Sequence, residues 1–242
     1  MNVTVDGLVL RSVDYRESDK ILTVLTRQKG RLTVKAAGAR RKGSRLQSGT
    51  QPFCYSQMTL FEKDGRYRLD ETSVREQFYG LTGDLDKMAL ASYFAQVLGL
   101  EPEESPGSEE ALRLALNSLY ALERGLYPPE VVKPAFELRY MALNGYAPDL
   151  SPAPGRDGFI DPNDGLLRPA DGAPLPGDLF LDVRAIDAAR YIVSCDLKRL
   201  FAFRLPEESL RNLSVFAERY LLCKTEQGFR ALDFYHSLRQ LP

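Results

Sequence analysis

The 242-residue chain is 44% hydrophobic and 27% charged with a formal charge of −1, which excludes a disordered or strongly polyionic protein and allows one large domain or two ordinary ones. No apolar run reaches bilayer length, and the start Met1-Asn2-Val3-Thr4-Val5-Asp6-Gly7 lacks the basic-then-apolar pattern of a secretory signal, so neither a membrane nor an export route is expected. Three scattered cysteines, Cys54, Cys195 and Cys223, argue against a disulfide framework and fit a reducing cytoplasm.

The first 80 residues read as β. Runs at 8–13, 20–26, 31–37, 53–61 and 66–70 are rich in Val, Leu, Thr and aromatics, and Gln28-Lys29-Gly30, the 38–49 loop and Asp64-Gly65 separate them. Five short strands suit a small closed barrel, in which closure removes exposed sheet edges. In the third run Leu32, Val34 and Ala36 alternate with Arg31, Thr33 and Lys35, which predicts a basic outer face. The fifth run repeats the device, with Arg66 and Arg68 opposing Tyr67 and Leu69.

This β region holds the chain's most unusual charge feature. Residues 20–61 contain nine basic side chains (Lys20, Arg27, Lys29, Arg31, Lys35, Arg40, Arg41, Lys42 and Arg45) and no acidic one, leaving −10 for the rest of the chain. The densest part, Gly38 to Arg45, reads as an exposed loop whose natural partner is a polyanion, nucleic acid first. Gly38 and Gly43 have the glycine spacing of a phosphate-binding loop. Ser44-Arg45 stands where that motif needs Lys followed by Ser or Thr, so no bound nucleotide is implied. Tyr15, Phe53, Tyr55, Phe61 and Tyr67 are interleaved with the charges. Aromatics in a small barrel are expected in the core; Tyr15, in the polar turn Asp14 to Ser18, is the one best placed to stack on a base.

After residue 80 the period becomes helical. Leu81, Leu85, Met88, Ser92, Ala95 and Leu98 predict one stripe; Leu112, Leu116, Leu119 and Leu122 predict a second over 108–124. Pro128-Pro129 opens a third that Asn144-Gly145 stops, and further helices are expected over 179–193, 206–224 and 229–238. Residues 148–177 interrupt this all-α part with seven prolines and five glycines, and Asp161-Pro162-Asn163-Asp164-Gly165 suggests a small hairpin. Read as a calcium loop, that turn has its glycine one position early and lacks the closing Glu. The lone His236 has no companion for a metal or nucleophile set, Cys195 and Cys223 read as core thiols, and Glu101, Glu103, Glu104, Glu109 and Glu110 read as a solvated acidic connector. No catalytic constellation and no cofactor are implied.

The series Gly7-Leu8-Val9-Leu10-Arg11, Tyr15-Arg16-Glu17-Ser18-Asp19, Gly38-Ala39-Arg40-Arg41 and Gln51-Pro52-Phe53 resembles the N-terminal signature of the RecO family of bacterial DNA repair proteins. The likeness continues through Phe136 to Arg139, Gly145-Tyr146-Ala147-Pro148, Tyr191 to Cys195, Glu218 to Leu221 and Leu232 to Tyr235. The resemblance implies an N-terminal OB-fold over 1–80 followed by a helical domain over 81–242, with a zinc-finger-like insertion at 146–178. It also implies a non-enzymatic, cytoplasmic, nucleoid-associated recombination mediator. Such a protein binds single- and double-stranded DNA, anneals complementary strands and, with RecR, helps load RecA onto DNA coated by single-stranded DNA-binding protein. By carry-over, Lys35, Arg40 and Arg41 match basic positions of the family's N-terminal domain. Lys42 and Arg45 extend the loop, and Arg27, Lys29 and Arg31 complete the expected DNA-binding set. Lys133 and Arg139 are the expected receivers for the acidic tail of single-stranded DNA-binding protein. Many family members hold the insertion with four zinc-binding cysteines; here it has no Cys or His, so no zinc is expected. Residue chemistry alone leaves open an OB-type RNA-binding module on a helical scaffold. A Mg²⁺ nuclease using Asp64, Asp70 or Glu71 has no metal-ligand pattern behind it.

Overall fold

The computed structural model describes residues 1–103, 108–151 and 155–239. Its first elements are β1 (Asn2–Tyr15), β2 (Asp19–Thr26), β3 (Gly30–Ala36), β4 (Cys54–Lys63) and β5 (Arg66–Gln77). Next come α1 (Leu85–Leu98), α2 (Glu109–Arg124) and α3 (Pro129–Leu143). The short strands β6 (Gly158–Ile160), β7 (Leu167–Pro169) and β8 (Leu179–Leu181) precede α4 (Val183–Ser194), α5 (Glu207–Thr225) and α6 (Arg230–Leu238).

The five N-terminal strands close into a barrel in the order β1-β2-β3-β5-β4, as the strand count and alternation predict. β1 and β5 are longer than expected, β1 for a topological reason. The first half of β1 pairs with β4 and the second half with β2, so one strand serves both neighbours. The pairing with β2 shifts between Val9 and Arg11, the extra residue that a sharply bent strand requires. Gly7 sits at the change of partner, where an added Cβ would lie 2.6 Å from Val24 Cγ1, so only glycine admits the close approach. Inside, Val5, Val9, Leu22, Val24, Leu32, Val34, Met58, Leu60 and Leu69 form the core, and Leu32, Val34 and Ala36 face it as the alternation predicts.

The packing divides the chain into two compact units, Met1–Glu123 together with the chain from Phe229 onward, and Arg124–Gly228. Residue 80 therefore marks the change from strand to helix, while α1, α2 and α6 belong to the barrel's unit. Asp84 caps α1 by accepting the Lys87 N–H at 3.1 Å. The stripe predicted for this helix is rotated. Leu85 is exposed, whereas Ala89, Leu90, Tyr93, Phe94 and Val97 are buried, because α1 packs on both β1 and α6 and needs two apolar sides. A sequence apolar on both sides fits several stripes equally well.

In the second unit α3, α4 and α5 pack on one another, and β7-β6-β8 forms a small sheet. The predicted hairpin is β6–β7. Asp161 accepts from the Asn163 backbone N–H at 2.9 Å and its Nδ2 at 2.8 Å, and Gly165 turns at φ +74°. Residues 179–181, expected to open a helix, instead pair with β6, and Asp182 then caps α4 by accepting the N–H groups of Arg184 and Ala185. An ion pair between Arg168 and the buried carboxylate of Asp178 ties the hairpin to the segment before β8. The expected core thiols also move: Cys195 is half-buried and Cys223 exposed, and only Cys54 is buried.

Candidate nucleic-acid interface

The loop after β3 is built as an ordered ridge. Gly38, at φ +68°, donates its N–H to Asp19 Oδ1 at 2.8 Å, and the other Asp19 oxygen meets Lys35 Nζ at 3.0 Å. The Gly38 N–H and the Lys35 ammonium hold the Asp19 carboxyl below its ordinary range. Ala39 is fully buried in the barrel core, and Arg40 donates its backbone N–H to Ser18 O at 2.9 Å. The chain then turns through Arg41 N–H to Gly38 O (3.1 Å) and Ser44 N–H to Arg41 O (3.0 Å), before Leu46 packs back against the core. A buried alanine between two bonded turns pins the loop beside the β1–β2 turn.

Strand register places the rest of the candidate surface. Tyr15 pairs with Asp19 and Lys20 with Ala36, so the β1–β2 turn and the end of β3 converge on one end of the barrel; β5 runs parallel to β3 through Val34↔Tyr67 and Lys35↔Arg68, so the β4–β5 turn lies toward the other end, where Lys29 meets Glu62. Lys35, Arg40, Arg41, Lys42 and Arg45 are on β3 or the loop that leaves it at the end that holds the β1–β2 turn. Arg27, Lys29 and Arg31 do not join them. They flank the β2–β3 turn at Thr26 to Gly30, at the opposite end and roughly 20 Å away by strand rise.

The acid-free window of the sequence is not acid-free in space. Arg27 pairs with Glu109 at 2.6 Å, Lys29 with Glu62 at 3.1 Å, Arg31 with Glu103 at 3.0 Å, Lys35 with Asp19 at 3.0 Å and Arg40 with Asp14 at 3.3 Å. Asp19 and Glu62 are the residues that bound the window. Arg40 also donates to the carbonyls of Arg16 and Glu17, both at 3.3 Å. Arg41, Lys42 and Arg45 are exposed and have no ion pair among the described residues, so the uncompensated positive charge is concentrated on the tip of the loop.

Beside this tip lies Tyr15, 41% exposed, with the Arg16 guanidinium 5.2 Å and the Lys35 ammonium 5.8 Å from its ring centre. Phe53 and Tyr67 are buried in the protein, as expected of barrel aromatics. Phe61 is half-buried with Arg68 5.1 Å from its ring centre. The register row Val13, Ile21, Lys35, Arg68 thus carries a mixed apolar and cationic outer face. Arg16, in the β1–β2 turn beside Tyr15, and Arg68, in register with Lys35, join this face and were missed by the charge window because they lie outside it.

Lys133 and Arg139 are placed otherwise than expected. Lys133, 3% exposed, sits between Glu137 at 2.8 Å and Glu218 at 2.7 Å. Burial works against its ammonium, and Glu137 and Glu218 outweigh that, so Lys133 titrates above its ordinary value. Arg139 donates to the carbonyls of Ile192 (3.4 Å) and Val193 (2.6 Å), at the C-terminal end of α4. Both cations are engaged within their own unit, holding α3 against α5 and α4, rather than standing free for an incoming acidic peptide.

Residues 1–78 match the family described as recombination protein O, N terminal, and residues 82–233 match its C-terminal counterpart. The chain belongs to the RecO family. Among its relatives are the DNA repair protein RecO of Acetivibrio thermocellus, 29% identical over 97% of this chain and 96% of the relative, and that of Symbiobacterium thermophilum, 29% identical over 97% of each. That of Caldicellulosiruptor saccharolyticus is 26% identical over 96% of this chain and 97% of the relative. Membership places the barrel and its loop in a family of DNA repair proteins. Among the described residues no helix is long and apolar enough to cross a membrane, and no group of three or more His, Cys, Asp or Glu is placed to hold a metal ion.

Proposed function

We propose that this protein is a DNA-binding recombination mediator that holds strands at the loop end of its barrel and promotes their annealing. The observation that carries the reading is the cluster Arg41, Lys42 and Arg45, exposed and without an ion pair among the described residues, on a ridge pinned by Ala39 and flanked by the exposed Tyr15. Two DNA strands repel one another, and a cationic ridge that releases counterions from both lets them approach. Phosphate contacts carry no base information, so binding is sequence-tolerant, and Tyr15 adds a stacking surface for unpaired bases only. In this reading the chemistry of strand exchange is left to partners. The protein binds single- and double-stranded DNA, meets RecR and single-stranded DNA-binding protein, assists RecA without contacting nucleotide, and works in the cytoplasm on nucleoid DNA.

The test is binding of labelled single-stranded DNA across a salt series, beside a matched RNA. Affinity falling linearly on a double-logarithmic plot, with no gain for RNA, supports the reading. A preference that depends on the 2′-hydroxyl turns it toward the RNA-binding module.

A further inference from the structure

The far end of the barrel, at the β2–β3 turn, is covered by acid from the same chain. β3 meets β5 only through Val34↔Tyr67 and Lys35↔Arg68, which leaves the edge of Gly30 to Thr33 without a strand neighbour. The segment after α1 fills that edge. Glu103 bridges to Gly30 and Arg31, and the Arg31 N–H reaches Pro102 O at 3.3 Å. At Glu101 to Glu103 the expected solvated connector is therefore a strap; Glu104 lies outside the described residues. Glu101 is 6% exposed and accepts from Ser108 Oγ at 3.3 Å, and its backbone carbonyl takes the Arg31 Nε–H at 2.8 Å. These contacts anchor the strap through backbone and a buried side chain.

The two outer carboxylates are held differently. Glu103 meets Arg31 Nη1 at 3.0 Å with its side chain 58% exposed, and Glu109 meets Arg27 Nη2 at 2.6 Å with 47% exposed. Pairs this open are weak and screened by salt, so an incoming anion of higher charge density replaces them readily. Removing the strap backbone, by contrast, would expose an unpaired strand edge.

We infer that Glu103 and Glu109 act as an internal phosphate mimic that occupies Arg31 and Arg27, and that single-stranded nucleic acid extending from the loop end of the barrel exchanges with these two carboxylates while the strap backbone stays in place. The inference rests on the DNA-binding reading above and adds a second, gated phosphate-binding segment at the far end of β2 and β3. The gate raises the threshold for occupying the whole barrel length. Short or transient strands hold the open loop only, and a strand long enough to span both ends wins both arginines.

The test uses the full chain with Glu103→Gln/Glu109→Gln, and measures labelled oligodeoxythymidylate binding across salt by fluorescence anisotropy. A short strand, which in wild type holds the open loop only, gains two phosphate contacts in the variant and a salt slope steeper by about 1.4, so the variant's advantage over wild type shrinks about sevenfold between 50 and 200 mM salt. The gain disappears when Arg27→Ala/Arg31→Ala is added. The same loss of two negative charges at Glu208→Gln/Asp233→Asn, both exposed and on the helices α5 and α6, leaves the slope unchanged. A wild type that binds with a normal salt slope while Glu103→Gln/Glu109→Gln matches it overturns the inference and leaves the DNA-binding reading standing. So does a gain that survives loss of both arginines. A wild type that fails to bind overturns both. Circular dichroism on every variant separates a lost fold from a lost site.

Discussion

The sharpest division drawn by the geometry is between paired and unpaired cations, and it sets the size of a mutational effect. Arg41→Ala/Lys42→Ala/Arg45→Ala removes three exposed loop cations, none of which has an ion pair among the described residues. At about 0.7 per phosphate for single strands, the salt slope flattens by about 2.1. Between 50 and 200 mM salt, wild type then loses about 18-fold more affinity than the variant. Truncating the same number of paired cations, Lys29, Lys35 and Arg40, flattens it less, because each already has a carboxylate within 3.3 Å that competes with phosphate. The assay is anisotropy of a labelled oligonucleotide at four or more salt concentrations, with far-ultraviolet circular dichroism to confirm the fold. An unchanged slope in the first triple variant, or equal slopes in the two, would refute the reasoning that spatial pairing, rather than sequence composition, decides which cations bind DNA.

Other consequences are open to direct measurement. Tyr15→Ala should weaken single-stranded DNA binding by about 1–3 kcal/mol while leaving the salt slope and duplex binding unchanged; parallel loss on duplex would place Tyr15 outside any stacking role. Lys133→Met removes the cation between the fully buried Glu137 and the partly exposed Glu218, and should cost about 3–5 kcal/mol in denaturant unfolding, with much of it recovered in Lys133→Met/Glu137→Gln. A cost under about 1 kcal/mol would contradict the internal role. The same network fixes the sign of an alkaline effect. Lys133 is raised in the folded protein, so its contribution is complete below the ordinary lysine value of 10.5 and is lost as pH climbs through the higher folded value. Stability should fall more steeply above pH 10.5 in wild type than in Lys133→Met. Asp19 works in the opposite direction. Its folded value is lowered, so its anchoring of Gly38 is present above the ordinary 3.8 and is lost as pH falls through the folded value. Asp19→Asn should remove that acid-side component and loosen amide-exchange protection at Gly38.

Much of the barrel was legible because a two-residue period is unambiguous when one face is buried. Leu32, Val34 and Ala36 could only point inward, and the turn glycines marked the strand ends. The extensions of β1 and β5 were not legible, since a strand that changes partner midway depends on distant segments. The α1 stripe was hidden by its apolarity on two sides. The Leu-Phe-Leu of β8 reads equally well as strand or helix, and only the cap that Asp182 gives α4 separates the two. For the site, sequence identified the loop and its tip but overstated the island. Its acids, Asp14, Asp19, Glu62, Glu103 and Glu109, arrive from outside the window through folding. Lys133 and Arg139 show the converse: a helix face that reads as cationic in sequence is internal once α4 and α5 pack on it.

The central claim, that the unpaired loop cations let this protein bring complementary strands together, is tested most directly by annealing. Complementary oligonucleotides pre-coated with single-stranded DNA-binding protein are mixed without ATP, and pairing is followed by fluorescence transfer. The expected result is acceleration by wild type that weakens with salt and is largely lost in Arg41→Ala/Lys42→Ala/Arg45→Ala. Annealing no faster than the uncatalysed rate, or acceleration that the triple variant retains in full, would contradict it.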